Sequence, residues 1–415
     1  MPQFIRIGFF LALRQVRRAS IWTTSLIVFV MALTFLNLVV VSGVLVGLIE
    51  GAVEANKIYY TSDVIISNLP KKDYIEQSPQ VLSIVAALPE AQVFAARYLQ
   101  GGTIEAHYKE AIDPDEIERA GGSFVGIDPV AEDQTTNLSR FIVEGEYLEP
   151  GDYDQVLIGA NLLKKYLPIE SPGFTTLSDI NIGDKVRITV NGITREVTVK
   201  GIIQAKVDEL AFRVFMVDSQ FRSLIGRGDY NVDEISIKLK PGASAVVVRD
   251  SLIRSGVGEF ARVQTFEDAQ PKFLQDIKAT FALLGNMISS IGLAVASITI
   301  FIVIFINAIT RRKFIGIMKG IGISGTAIET SYVFQSIFYA VIGSSIGLFV
   351  LYVILQPYIA ANPINFPFSD GILVAPLDGT MLRIALLVFT TIIAGYIPAR
   401  MIVRKNILDS ILGRN

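Results

Sequence analysis

The sequence predicts an α-helical membrane protein with four transmembrane helices and a large α+β domain outside the membrane. Three observations lead to this fold class: long uncharged apolar runs, an uneven distribution of Lys and Arg around them, and one long acidic segment between the first two runs. Hydrophobic residues make up 51% of the chain and charged residues only 18%. That balance is typical of an integral membrane protein.

The apolar runs predict spans at residues 19–49, 279–310, 330–358 and 380–400. About 20 apolar residues, rising 1.5 Å each, cross a hydrocarbon core of about 30 Å, and each run reaches that length. The first run is about twice as long as the apolar region of a cleaved signal peptide. We therefore expect it to be a retained span.

The basic residues predict the orientation. Arg and Lys are concentrated in the N-terminal segment 1–18, in the loop 311–329 and in the tail 401–415, whereas the loop 359–379 contains none. Positively charged flanks of spans stay in the cytosol. We therefore expect a multi-pass protein of the cytoplasmic (inner) cell membrane, with an amphipathic N-terminal helix and both termini in the cytosol, and with residues 50–278 outside.

The outer segment is acidic and contains a loose internal repeat of strand, helix and strand. The repeat covers residues 63–68, 78–88 and 91–99, and then 232–240, 243–254 and 258–266. Two such units predict a ferredoxin-like sheet with helices on one face. Between them, residues from about 121 to 227 are predicted to form a β-rich insertion, with a hairpin turn at Asn191-Gly192.

Several motifs resemble catalytic sites but have the wrong surroundings. Gly320, Gly322 and Gly325 form a G-x-G-x-x-G, yet they lie between two spans rather than between a strand and a soluble helix. "GSSIG" at 343–347 matches a nucleophile elbow but lies inside an uncharged span. "DPDEIERA" from Asp113 is predicted to be a helix cap.

The residue types also limit the chemistry that the chain can perform. His107 is the one histidine, there is no cysteine, and no P-loop motif occurs. We predict no catalytic residue, no metal site and no cofactor site. The spans contain no ionisable residue except Arg383 near an outer end and Arg400 at the last position of the fourth span, which disfavours ion-coupled transport. Any energy should therefore come from a partner.

The loop between the second and third spans is predicted to contain a short amphipathic helix. Phe314, Ile317, Met318 and Ile321 recur at helical spacing and form an apolar stripe opposite basic residues. Gly320 and Gly322 can end this helix, and "TAIE" at 326–329 reads as a capping box for the third span. The stripe fits docking on a partner protein, and docking on the lipid surface remains an alternative.

Glycines at helical spacing predict close helix contacts inside the membrane. Gly43, Gly47 and Gly51 follow one another four residues apart at the end of the first span, and Gly343 and Gly347 repeat the spacing in the third. Such pairs let another backbone approach closely.

Three segments carry a family resemblance. "LALRQVRR" before the first span, "RRKFIGIMKGIGIS" after the second and "GYIPARMIVRKNILDSI" at the end resemble the signatures of FtsX/MacB-type ABC transporter permeases. "FVGIDP", "LIGANLLKKYL", "IGDKVRITV" and "REVTVKGII" resemble the outer domain of that family, including the lipoprotein-releasing Lol permeases. Phe314 replaces the usual Glu, and Ile407-Leu408-Asp409 replaces the usual Asp-Pro-Val.

The resemblance implies a permease subunit without ATPase activity of its own. It implies a MacB-like periplasmic core domain with a porter lobe and a sabre-like insertion, and pairing with a second copy or a paralogue and with cytosolic ABC ATPase subunits. The ATPase-coupling loop would include Arg311, Arg312, Phe314, Ile317, Met318, Lys319, Gly320, Gly322 and Glu329. A periplasmic adaptor, carrier or hydrolase is a further candidate partner, and no nucleic acid is expected.

Two functions of different class follow from the resemblance. The first is mechanotransmission, in which ATP hydrolysis moves the outer domain and exports or extracts lipoproteins, lipids, peptides or drugs. The second is an FtsX-like signalling scaffold that regulates cell-wall hydrolases or senses envelope-active peptides without transport. A membrane-tethered enzyme is disfavoured by the single histidine and the absence of cysteine.

Overall fold

A computed structural model describes residues 3–109, 117–167, 175–270, 272–366 and 369–404. The predicted helix cap at Asp113 lies outside the described residues. So does the Ile407-Leu408-Asp409 segment of the tail.

The chain forms two compact units. The membrane unit comprises Met1–Glu50, Asp276–Asn365 and Gly371–Asn415, and the outer unit comprises Gly51–Gln275 and Phe366–Asp370. Each unit has its own apolar core.

The helices of the two units differ in length. In chain order they are α1 (Gln3–Arg17), α2 (Ile21–Asn56), α3 (Ser78–Ala86), α4 (Pro129–Thr136), α5 (Asp208–Ala211), α6 (Asp218–Ile225), α7 (Ala245–Arg254), α8 (Phe266–Ala269), α9 (Lys272–Thr310), α10 (Arg312–Gly320), α11 (Gly325–Phe349), α12 (Gln356–Ala361) and α13 (Leu377–Val403). Two π-helical segments, Lys57–Thr61 and Val350–Leu355, follow α2 and α11.

Four helical stretches are long and apolar enough to cross a membrane, which confirms the predicted number of spans. They are Ile21–Thr61, Leu274–Thr310, Gly325–Ala361 and Leu377–Val403. Helix α2, which forms most of the first of these stretches, has 36 residues. At 1.5 Å per residue it is about 54 Å long, well beyond the roughly 30 Å of a hydrocarbon core.

The strands belong to the outer unit, apart from a short pair near residue 370. They are β1 (Val64–Asn68), β2 (Ala91–Ala106), β3 (Glu118–Ile127), β4 (Ile142–Gly145), β5 (Gln155–Gly159), β6 (Lys185–Val190), β7 (Ile193–Ile203), β8 (Arg213–Val217), β9 (Glu234–Leu239), β10 (Ala261–Thr265), β11 (Ile364–Phe366) and β12 (Ser369–Gly371).

The repeat predicted from the sequence folds as a ferredoxin-like sheet. Its strand order is β10-β1-β9-β2, and every neighbouring pair is antiparallel. Helix α3 connects β1 to β2, and α7 connects β9 to β10. The two strand–helix–strand units interleave, because each places one of its strands between the two strands of the other. The predicted ferredoxin-like lobe is confirmed.

The insertion is a closed β structure that shares a strand with this lobe. Strand β2 pairs with β3, and the pairing continues through β8, β5, β7 and β6 back to β2. The Asn191-Gly192 hairpin is confirmed: Val190 pairs with Ile193, and both turn residues have positive φ, at 50° and 77°. The sequence did not predict that the 16 residues of β2 serve both sheets.

The core of the membrane unit centres on α2 and α11. Met31, Phe35 and Val39 of α2 are fully buried, and so are Tyr332 and Tyr339 of α11. The largest fully buried side chains of the membrane unit thus come from these two helices, and α11 also contacts α1 and α13.

Candidate functional site

The short helix α10 presents an apolar surface to its surroundings. The side chains of Phe314 and Ile317 are 68% and 50% exposed, and Ile321, just after the helix, is 74% exposed. Ile315 points the other way and is buried. Met318 is half-buried and packs against the core of the membrane unit, so the predicted stripe is divided between the two sides.

The C-terminal end of α10 is fixed by a Schellman motif. Gly322 has a φ of +93°, the left-handed conformation that glycine adopts without strain. The amide of Ile323 donates to the carbonyl of Met318 at 3.0 Å, and the amide of Gly322 donates to that of Lys319 at 3.1 Å. Gly322 is therefore the residue that ends the helix, whereas Gly320 lies within its last turn.

A lysine joins α10 to the last span. The Nζ of Lys319 donates to the carbonyl oxygen of Val403, the final residue of α13, at 2.8 Å. This bond satisfies one of the carbonyls that a helix C-terminus leaves unpaired, and the charge suits that end of the helix dipole. At the other end of α10, Arg311 is the N-cap residue and its carbonyl accepts from the amide of Ile315.

The cap of α11 differs from the predicted one. The hydroxyl of Ser324 accepts from the amide of Ala327 at 3.3 Å, so Ser324 is the N-cap and the helix starts at Gly325. Thr326 lies inside the first turn, and Glu329 is half-buried one turn later. The prediction of a Thr326–Glu329 capping box was wrong by two residues, because Ser324 offers an equally good cap nearer the turn.

Gly343 and Gly347 of α11 lie directly against α2. A Cβ at Gly343 would be 2.5 Å from the Cβ of Met31 and 3.0 Å from the amide nitrogen of Ala32. A Cβ at Gly347 would be 2.3 Å from a ring carbon of Phe35. These distances leave no room for any side chain.

Gly43 and Gly47 of α2 meet an extended segment rather than another helix. A Cβ at Gly47 would lie 1.8 Å from the carbonyl oxygen of Ile372, and one at Gly43 would lie 2.7 Å from that of Val374. The amide of Val374 also donates to the carbonyl of Gly43. The predicted helix–helix contact is corrected here: the partner is the stretch that leads into α13. Gly51 is half-buried and belongs to the outer unit.

A second row of small residues, on α9, was not predicted from the sequence. A Cβ at Gly285 would be 3.0 Å from the Cα of Ser42, and one at Gly292 would be 2.5 Å from the Oδ1 of Asn37. Between them, the hydroxyl of Ser289 donates to the carbonyl of Leu38 at 3.1 Å. Their spacing of four and then three residues was the available signal.

Other contacts of α2 and α11 also use small or polar groups. A Cβ at Gly8 of α1 would be 2.9 Å from Thr330. Arg383, near the start of α13, donates to the hydroxyl of Ser42 at 2.8 Å. Arg383 lies near a helix end, as predicted, and its guanidinium has a hydrogen-bonding partner on α2.

The outer unit contains a buried charge cluster that the sequence analysis also missed. It is formed by Tyr60, Arg97, Glu132, Arg213 and Glu234, which we call the Tyr60 cluster. Arg97 and Glu132 are each about 1% exposed and pair through two bonds, of 2.9 and 2.7 Å. Burial opposes the charge on Arg97, but Glu132 outweighs it and holds the pKa of the guanidinium above its usual range.

Tyr60 lies between two guanidinium groups in this cluster. The Cζ atoms of Arg97 and Arg213 are each 4.7 Å from its ring centroid. Its hydroxyl donates to Glu234 and accepts from Arg213 at 2.9 Å, and its carbonyl accepts from Arg97 at 2.9 Å. The π-helical segment Lys57–Thr61 is thereby bound to strands β2, β8 and β9.

No group of three or more possible metal ligands occurs among the described residues. His107 is exposed, and its Nε2 lies 3.2 Å from the carbonyl oxygen of Ser178. The geometry offers surfaces and mechanical contacts, and in the Tyr60 cluster one nitrogen each of Arg97 and Arg213 is buried without a hydrogen-bond partner among the described residues.

Comparison with known proteins agrees with the transmembrane architecture. Residues 286–407 match the family described as FtsX-like permease C-terminal. Over 45% of the chain, 27% of residues are identical to the macrolide export ATP-binding/permease protein MacB of Campylobacter fetus, and the match covers 28% of that protein. An uncharacterized ABC transporter permease of Methanocaldococcus jannaschii is 24% identical over 66% of the chain and 65% of its own length.

Two solved structures align with about half of the chain. The periplasmic region of MacB from Actinobacillus actinomycetemcomitans aligns with 51% of the chain and 92% of that structure, at 14% identity and a TM-score of 0.35. The extracellular domain of the transporter YknZ aligns with 49% of the chain at 13% identity and a TM-score of 0.33.

The chain spans 28% of the length of the Campylobacter fetus MacB and 46% of the length of a MacB of Campylobacter jejuni, to which it is 21% identical; both names include an ATP-binding part. The match to the FtsX-like permease family covers most of the second span, the α10 loop that follows it, the third and fourth spans and the start of the tail. The chain is thus similar to ABC transporter permeases of the FtsX/MacB type.

Proposed function

We propose that this chain is a non-catalytic permease subunit that couples ATP hydrolysis by a separate cytosolic ATPase to movement of the outer unit. The proposed result is export or extraction of lipoproteins, lipids, peptides or drugs without a continuous pore. Relatives named for macrolide export and for probable syringafactin export support an amphiphilic substrate. A second copy of the chain or a paralogue would complete the transporter.

The exposed apolar side of α10 is the observation that carries this proposal. Large apolar side chains at the end of a membrane helix bundle are costly to leave in water, so they indicate a partner. The basic residues around this loop favour a cytosolic location. A partner that docks on Phe314 and Ile317 would act on a helix that is already fixed at both ends.

The contacts of α10 give a route for the coupling. Arg311 joins α10 directly to α9, and Lys319 binds the end of α13. A displacement of α10 by an ATPase would therefore act on two spans together. Helix α11 begins at Gly325, three residues after the Schellman glycine Gly322, so the displacement would also act on a third span.

The double variant Phe314→Asp/Ile317→Asp tests the docking. Two carboxylates on the apolar face should lower recovery of the ATPase in copurification by at least tenfold, because each buried unpaired charge weakens an interface strongly. The matched control is Thr326→Asp, which adds an exposed carboxylate in the first turn of α11, where the helix dipole favours it. Both variants should insert into the membrane normally.

Equal ATPase recovery from the double variant and the wild type would contradict the proposal and favour docking of α10 on lipid. If recovery falls and no transported substrate is found, while a cell-wall hydrolase loses its activity, the signalling alternative gains support instead.

A further inference from the structure

A groove of about 410 Å³ opens beside α10 in the membrane unit. Its walls come from α1, from the α9–α10 corner and from the first turns of α11. Its polar lining comes from Arg14, Gln15, Arg18 and Arg311, and its apolar lining comes from Leu11, Phe314, Ile315, Met318 and Tyr332. The volume is in the range of about 300–1,000 Å³ that is usual for small-molecule sites.

The groove has an apolar base and a cationic rim. Leu11 and Met318 contribute to the base, together with the buried side of α10. Arg14, Arg18 and Arg311 form the rim, and none of the three makes an ion pair with a carboxylate of the described residues. Guanidinium groups are the preferred partners of phosphate oxygens. The rim is therefore complementary to an anion that is attached to an apolar body.

A further polar group points to the kind of anion. The Oε1 of Gln15 is buried and accepts no hydrogen bond from the part of the chain that the structure describes. A buried acceptor of this kind is normally satisfied by a donor. A headgroup with a hydroxyl beside its phosphate would supply that donor and the negative charge together.

We propose that this groove binds one anionic phospholipid with a hydroxyl-bearing headgroup, such as a phosphatidylglycerol. The phosphate lies between the three arginines, the headgroup hydroxyl donates to Gln15, and an acyl chain covers the apolar base. Basic pockets beside transmembrane helices are known to hold anionic headgroups. The location supports lipid over soluble anion, because the groove lies at the end of α9 and the start of α11, where spans leave the membrane.

This site adjoins the docking face of α10 and shares Phe314 with it. The other partner-facing side chain, Ile317, does not line the groove, and lipid binding needs no ATPase. The bound lipid would hold α1 to α10 and so set how firmly α10 is positioned. Lipid binding can therefore be lost while the proposed ATPase coupling persists. The ATPase coupling can equally be lost while lipid binding persists.

The test uses the full chain, purified in a mild detergent and supplied with equal amounts of phosphatidylglycerol and phosphatidylcholine. Native mass spectrometry then counts retained lipids. We expect one phosphatidylglycerol per chain with at least about tenfold preference over phosphatidylcholine. The groove variant Arg14→Gln/Arg18→Gln/Arg311→Gln should lose that preference.

The matched control removes three charges that do not line the groove: Arg6→Gln/Arg17→Gln/Arg404→Gln. It should keep most of the preference. If both triple variants lose it equally, the attraction is diffuse and the proposal is overturned. A wild type without preference overturns it as well.

A second variant distinguishes loss of the lipid site from misfolding of the triple variant. Met318→Trp fills the base of the groove and leaves every charge in place, so it should also reduce phosphatidylglycerol retention. Retention at the wild-type level in this variant would overturn the proposal. Displacement of the lipid by added ATPase subunit would do so too, since the groove would then be a protein docking site.

Discussion

The outer unit fixes one of its segments with buried charges, whereas the membrane unit fixes its helices with glycines. In the outer unit, Tyr60 is held between Arg97 and Arg213, and Glu132 is fully buried beside them. In the membrane unit, Gly343 and Gly347 let α11 lie directly on α2.

The difference follows from the solvent around each unit. Water drives apolar side chains into the core of the outer unit, so its polar cluster is added to an already stable sheet. Lipid offers no such drive between helices, so close approach and van der Waals contact must hold the bundle together. A buried charge pair is also less costly in a domain whose surface is wet than in a bilayer.

The comparison predicts the largest loss of stability for Arg97→Met in the outer unit. This variant leaves Glu132 buried without its partner and removes the bond to the carbonyl of Tyr60, which should cost about 3–5 kcal/mol. Hydrogen exchange of the β9 amides in the full chain measures the effect. Exchange through global opening of the outer unit should become about 100-fold faster or more.

Two controls sharpen this test. Arg249→Met breaks an exposed pair with Asp268, which should cost no more than about 1 kcal/mol. Adding Glu132→Leu to Arg97→Met removes the stranded carboxylate and should recover part of the loss. If Arg97→Met and Arg249→Met behave alike, the Tyr60 cluster does not stabilise the outer unit.

The Tyr60 cluster could not be predicted from the sequence. Its members come from five separate places between residues 60 and 234, and no local spacing connects them. One signal was available: Arg97 interrupts the apolar strand "VFAARYL", and a charge in a buried strand requires a partner. The identity of that partner depends on how the insertion folds back on β2. The periodicity of apolar residues along the sequence does not predict this folding.

A smaller loss is expected from Gly343→Ala in the membrane unit. The new methyl group would lie 2.5 Å from the Cβ of Met31 and 3.0 Å from a backbone nitrogen, so α2 and α11 must separate. Overpacking of this kind costs about 1–3 kcal/mol. The midpoint of thermal unfolding in detergent should fall by several degrees.

Gly320→Ala is the matched control, because a Cβ there has open space and lies in the last turn of α10. It should leave the midpoint unchanged or raise it slightly. Equal midpoints for the two variants would show that the α2–α11 contact adapts to an added methyl group at no measurable cost.

In the membrane unit the sequence predicted more. Runs of apolar residues gave the four spans, and glycine spacing gave Gly343 and Gly347 as contact positions. The sequence did not predict the partner of Gly43 and Gly47. A spacing of four residues indicates that another segment approaches closely, but it does not identify that segment. The extended backbone at Ile372–Val374 satisfies that requirement as well as a helix would.

The smallest predicted effect is at Gly322, where conformation rather than space is limiting. A Cβ at this position would meet nothing within 4 Å, but the φ of +93° is strained for any residue with a side chain. Gly322→Ala should therefore cost about 1 kcal/mol, and Gly322→Asn less, because asparagine tolerates left-handed conformations. The amide of Ile323, which bonds to Met318, reports this local loss. Its hydrogen exchange should speed up about fivefold in Gly322→Ala and less in Gly322→Asn, with amides of the outer unit unchanged. The same rate in all three proteins would mean that the Schellman motif does not hold α10 in place, and the rigid link from α10 to α11 would have to come from packing alone.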